Sequence, residues 1–203
     1  MMDHFSSTLG GLLHIKCTEP PRIEKLDTAL SGLVIGDTLV QKNTLETLNQ
    51  RKSEIYRGIH IISRYVKDFN LETTDLHEIE PYLSRLDISL AKRLKAVIKM
   101  RDIVKSAVEV LRLNNQEQIG ELMNLHHKYM REGFENSIPK AEKLIKASLN
   151  AGALGGKITG SGNGGCVIIY APDCQQEVSI AIEREGGKAY IVEVAEGARD
   201  EFS

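Results

Sequence analysis

Residues 151–166 read AGALGGKITGSGNGGC and hold seven glycines in sixteen positions. Glycine is costly inside regular structure and is favoured where backbone approaches something closely or takes a positive φ. The run also holds one cation, Lys157, and two hydroxyls, Thr159 and Ser161. Crowded backbone N–H groups with such donors beside them suit phosphate oxygens. The same glycines fit a tight turn between two strands, and composition alone leaves both readings open. Gly160, Gly162 and Gly165 spell G-x-G-x-x-G, but the dinucleotide fingerprint has to follow a first strand and open a helix. Here an apolar, β-like run at 167–170 comes next, close to the end of the chain, so a dinucleotide fold is excluded. No Gly-Lys-Ser/Thr closes the run, which also excludes a Walker loop.

The other chemistry-bearing residues are sparser. Six histidines show no metal-ligand spacing. His126 and His127 are adjacent, so on a helix they point about 100° apart and do not share an ion. Cys17, Cys166 and Cys174 form no CxxC pair and are expected to be reduced thiols in a cytoplasmic protein.

These residues need elements to position them. Residues 9–17 read as a short strand ending before Pro20, and 33–35 as a second strand. Apolar residues at helical spacing, Leu45, Leu48, Ile55, Ile59, Ile62 and Val66, predict a helix over 43–68 capped by Asn43 or Thr44. Residues 74–86 read as two short helical pieces broken at Pro81. A long amphipathic helix is predicted over 89–113, ended by Asn114 and Asn115, and another over 116–132. Ser137, followed two residues on by Pro139, is expected to cap a helix that runs to 150 and stops at Gly152. After the glycine run come a strand (167–171), a helix (173–185), a turn at Gly186 and Gly187, a strand (189–194) and a polar tail (196–203). This order gives an α+β domain with helices on one face of a small, mostly antiparallel sheet.

The bulk numbers fit one domain, or one domain and a piece of another, in 203 residues. A net charge of −2 and a pI near 6.3 argue against nucleic acid or a polybasic membrane patch as partner. No apolar run approaches the ~20 residues of a membrane span. The N-terminal segment lacks the basic n-region of a secretory leader, so none is expected.

GxxGGKITGSGNGGC resembles the third motif of the GHMP small-molecule kinases, a family that includes the galactokinases and mevalonate kinases. Gly120, Leu122, Met123, His127, Arg131, Phe134, Ser137 and Pro139 resemble the galactokinase pattern G-x-L-M, H-x-x-L-R, Y-x-x-S-x-P. Met2, Asp3, His4 and Phe5, followed by Gly10 and Gly11, are similar to the galactokinase M-D-Q-F…G segment. The stretch from Leu33 to Ile35, with Val40 and Lys42, resembles the strand after it. The matches fall in the family's order along nearly the whole chain.

The resemblance implies a ferredoxin-like C-terminal kinase domain over 32–203. It implies a short β remnant of the N-terminal kinase domain over 1–31, with the ATP-cradling loop P-x-x-x-G-L-x-S-S-A lying outside this chain. It implies ATP and Mg²⁺ as cofactors of the complete enzyme, a sugar or other alcohol as substrate, and no resident metal. Asp3 would be the catalytic base. Lys157, Thr159, Gly160, Ser161, Gly162, Gly164 and Gly165 would meet the nucleotide phosphates. His127 and Arg131, four residues apart, would pin their helix beside the cleft. The expected partners are an N-terminal kinase domain or subunit and a second copy of the chain, since the surface facing the absent domain would be apolar. Three positions depart from the galactokinase pattern. His4 stands for a glutamine, Leu48 falls near a sugar-contacting tyrosine, and Asn163 replaces an apolar or aromatic residue. The first two leave the sugar unnamed. The rival expectation is a non-catalytic ferredoxin-like binding or assembly module that uses the glycine run as a turn.

Overall fold

The computed structural model describes residues 2–41 and 44–199, with the backbone alone for 44–48. From the N-terminus it places α1 (Met2–Leu9), β1 (Leu12–Lys16), β2 (Arg22–Leu26), β3 (Leu33–Asp37), α2 (Thr44–Ile62) and α3 (Leu76–Ile79). A 3₁₀ turn (Glu80–Arg85), α4 (Ile88–Arg112), α5 (Gln116–Lys128) and a π turn (Tyr129–Gly133) follow. The chain closes with α6 (Pro139–Asn150), β4 (Gly155–Ile158), β5 (Cys166–Tyr170), α7 (Gln175–Arg184) and β6 (Lys188–Val192). The expected cap Asn43, Lys42, the side chains of Leu45 and Leu48, and the tail beyond Arg199 lie outside the described residues.

The main sheet has four strands in the order β4-β5-β3-β6, every neighbour antiparallel. Strand alternation sorts its side chains. Val34, Ile158, Val167 and Ile169 point to one face and pack on Leu144 and Ile145 of α6 and Val178 and Ile182 of α7. Leu33, Ile168 and Tyr170 point to the other face, where Ile119 and Met123 of α5 and Val110 and Leu111 of α4 meet them. The α+β class and the antiparallel sheet with helices α6 and α7 on one face therefore hold, with α5 and the end of α4 reaching part of the second face.

A second core lies away from the sheet, where Ile62 of α2 and Ile79 of α3 bury against Leu86 and against Leu90, Leu94 and Ile98 of α4. The β1–β2 hairpin forms its own two-stranded sheet. Thr28, just past it, donates to Leu111 O at 3.0 Å, and Arg112 of α4 pairs with Glu24 of β2.

Most predicted elements appear within a few residues of their expected bounds. Three features differ. Residues 2–9 are helical and were not expected to be. Residues 155–158 are a strand inside the glycine run. Ser137 does not cap α6: Ile138 is the N-cap residue, and the Ser137 hydroxyl donates instead to Glu142 at 2.5 Å.

Candidate functional site

The glycine run is a β-hairpin, β4–β5, whose connection spans 159–165. Gly160, Gly162, Asn163, Gly164 and Gly165 all take positive φ there. Asn is the side chain most tolerant of that region, which accounts for Asn163 at φ 55. Gly162 has a second constraint, because a Cβ on it would overlap the carbonyl oxygen of Asn136.

Neighbouring elements clamp the loop at two points. Asn136, buried after the π turn, donates from Nδ2 to Ser161 O at 2.6 Å and accepts at its own carbonyl from Asn163 N at 2.7 Å. On the other side, Gly165 N donates to Val40 O at 2.9 Å. The amide and hydroxyl of Thr38 both donate to Gly165 O, at 3.0 and 2.6 Å. The clamps leave a set of donors unused. Among the described residues the amides of Gly160, Ser161 and Gly164 have no intramolecular acceptor. The Ser161 Oγ is buried with no partner. A turn with left-handed residues and spare N–H groups is the concavity that holds anions.

The predicted residues divide around this loop. Gly160, Ser161, Gly162, Gly164 and Gly165 are together in it. Thr159 closes the hairpin rather than facing outward: its hydroxyl donates to Cys166 O at 2.9 Å, so its one proton is already used. Lys157 is not at the loop. It projects from β4 into a cavity walled by α4 and α5, and its Nζ donates to Ile158 O at 3.2 Å. Burial holds its amine below the ordinary lysine value. Asp3 is exposed on α1, and no hydrogen bond or ion pair joins it to the loop. Residues 195–198 hold α1 through Gly11 N to Ala195 O and Ala198 N to Ser7 O. These residues follow Val192, at the Leu33 end of the sheet, whereas the loop leaves the Asp37 end.

Behind the loop, Glu142 of α6 gathers the residues expected to pin the helix. His127 Nε2 lies 2.9 Å from Glu142 Oε1, and Arg131 donates to Glu142 Oε2 at 3.2 Å. His127 Nδ1 accepts from Ile158 N at 3.4 Å, so the ring carries its proton on Nε2 and donates it to Glu142. Burial alone would raise the Glu142 carboxyl. The Ser137 hydrogen bond, the neighbouring His127 and the hydrogen-bonded Arg131 charge outweigh it and hold the group below the ordinary carboxylate value. Burial likewise pushes His127 down, against the pull of Glu142. This cluster joins α5 and the π turn to α6 and to β4, the strand that leads into the loop.

The donor set fits phosphate oxygens, with three amides and a hydroxyl and no carboxylate in the loop. Among the described residues no group of three or more His, Cys, Asp or Glu side chains is placed to hold a metal ion. Sequence reasoning passed over Asn136, Thr38 and Glu142. A lone asparagine between helices carries no periodic signal, and its role depends on a contact 25 residues away.

Residues 106–183 match the family model described as the C-terminal domain of the GHMP kinases. A mevalonate kinase of Thermococcus gammatolerans is 40% identical over 111 residues, 52% of this chain and 33% of that protein. A galactokinase of Exiguobacterium sibiricum is 28% identical over 98% of this chain and 55% of its own length. The crystal structure of Lactococcus lactis galactokinase complexed with galactose superposes with a TM-score of 0.81 at 20% identity. It covers 97% of this chain and 54% of that one, a likeness of fold. The chain thus spans between a third and about half of these proteins' lengths.

Proposed function

We propose that this chain belongs to the GHMP kinase superfamily and forms the C-terminal part of an ATP-dependent small-molecule kinase. The observation that carries the reading is the clamped loop with unused donors at Gly160, Ser161 and Gly164, inside the segment that matches the family model. ATP supplies the γ-phosphoryl group that passes to an acceptor hydroxyl. Such transfer depends mostly on positioning and on stabilising the charge of the phosphoryl oxygens. The loop from Gly160 to Gly165 contributes fixed N–H donors to those oxygens, and the Ser161 hydroxyl adds one more. Asn136 and Thr38 hold the donors in place before any ligand arrives, which is the preorganisation that electrostatic catalysis requires. Lys157 and Thr159 are left out of the phosphate contacts, because one projects toward the α4–α5 cavity and the other is spent on Cys166 O. Mg²⁺ would arrive with the nucleotide, as it usually binds through phosphates and one or two carboxylates.

Asp3 is the proposed base that orients or deprotonates the acceptor. Its place in the Met2–Phe5 motif supports that role rather than any contact in the fold. The separate β1–β2 sheet supports assigning 1–31 to an N-terminal kinase domain and 32–203 to the C-terminal one. We take a sugar as the acceptor class, supported by likeness to galactokinases over nearly the whole chain. The 203-residue chain alone is proposed to be inactive and to work in the cytoplasm, where its three free cysteines stay reduced.

The test is reconstitution. The chain is mixed with a polypeptide carrying the P-x-x-x-G-L-x-S-S-A domain, and ADP release is followed with galactose, other sugars and mevalonate. The expected result is ADP release that needs both polypeptides and an acceptor, strongest with a sugar. Release by the chain alone contradicts the division of the site, and mevalonate as the preferred acceptor contradicts the sugar.

A further inference from the structure

A cavity of about 280 Å³ lies between α4, α5 and β4, and no residue of the glycine loop lines it. Its walls are apolar, with Leu111 of α4 and Leu122 and Met123 of α5 among them. It is reached beside Val104, which is 42% exposed. Two polar groups line it, Lys157 and His126, and none of its lining residues is an acid.

Those two groups lack partners. An ammonium has three protons to donate. Lys157 Nζ places one on Ile158 O, and no carboxylate pairs with it among the described residues. The Nδ1 of His126 is buried with no partner. A cation drawn out of water without a counter-charge costs several kcal/mol, so such sites are normally paired. The cavity thus joins an oily volume to one uncompensated cation and one unsatisfied ring nitrogen.

We propose that the cavity binds a small amphiphilic monoanion, an alkyl carboxylate, with its head on Lys157 and His126 and its tail among Leu111, Leu122 and Met123. A single positive charge with an uncharged imidazole beside it matches one negative charge better than the two of a phosphate monoester. The volume takes about ten heavy atoms at roughly 30 Å³ for each water-sized group, which is a chain of about eight carbons. The site does not depend on the kinase reading, because none of the loop residues lines it.

Octanoate is the probe, with octan-1-ol, octylamine and octyl phosphate as comparisons. Methyl resonances of Leu122 and Met123 are followed in the 203-residue chain. Octanoate is expected to shift them to saturation, with octan-1-ol and octyl phosphate each needing concentrations at least about tenfold higher and octylamine not binding. Lys157→Met should bring octanoate down to the level of octan-1-ol. Ala107→Phe, which fills the cavity from α4, should remove binding of both. Equal saturation by octanoate and octan-1-ol in the unaltered chain overturns the charged head. Preference for octyl phosphate overturns the single charge. Shifts that survive Ala107→Phe, or no shift of either methyl set with octanoate, overturn the site.

Discussion

Gly162 shows how one residue can be fixed twice. Its φ is +76°, and a Cβ there would overlap Asn136 O, so an alanine meets both backbone strain and a clash. Gly162→Ala should lower unfolding stability by at least about 2 kcal/mol, read from the urea midpoint. A change within error would mean that Asn136 gives way freely. His126 supplies a second residue-scale prediction. Burial, helped by the charges of Lys157 and His127, pushes its pKa from 6.5 down to about 4. Between those values the unfolded chain binds a proton that the folded chain refuses. Stability must therefore fall as pH falls from 6.5 to 4, by about 3 kcal/mol for this one group. His126→Gln should flatten that slope in urea titrations at several pH values, and an unchanged slope would assign it to other groups.

At the scale of elements, the contact between α5 and β4 sets where the loop starts. It is made glycine to glycine, with Gly120 set against Leu154 and Gly155. A Cβ on Gly120 would come within 2.5 Å of Leu154 O, so Gly120→Ala should cost about 1–3 kcal/mol by overpacking. Arg93 of α4 joins three elements in the same way. It is 2% exposed, bonded to Glu54 of α2 at 2.9 Å, to Gly133 O in the π turn and to Glu135 at 2.6 Å. Arg93→Met removes one of the two arginines on Glu54, leaving Arg51 at 2.9 Å, and strips Gly133 O of its donor, so it should cost about 1–3 kcal/mol in the same titration. Unaltered stability would show these acids are well solvated without it. The elements were legible where a pattern is local: the apolar stripe of α4, the Asn114–Asn115 break, and Gly152, with φ +103, ending α6. β4 was not legible, because GGKI carries too few β-formers to separate it from the loop. α1 was hidden as well, since MDHFSSTL is only eight residues long and buries none of them.

For the whole molecule, the motifs read in order along the chain led to the family whose C-terminal model matches residues 106–183, and single residues led less far. The expected phosphate-contact residues fall in different places: the four glycines and Ser161 share the loop, Thr159 is bonded to Cys166 O and Lys157 lies on the face of β4 toward α5, because which way a strand side chain faces depends on register that the glycines conceal. Asp3 keeps its assignment by motif alone. In the reconstituted enzyme, Asp3→Asn should cut turnover by several orders of magnitude with ATP affinity little changed. Retained turnover would remove it from the chemistry.

The loop amides of Gly160, Ser161 and Gly164 form the proposed anion site for phosphate. The direct measurement is a ¹⁵N–¹H titration of the chain with tripolyphosphate, and then with Mg-ATP. Saturable shifts are expected to concentrate on the amides of Gly160, Ser161 and Gly164 and to be abolished together by Gly162→Ala. Shifts scattered over surface lysines, with those three amides unmoved, would contradict it.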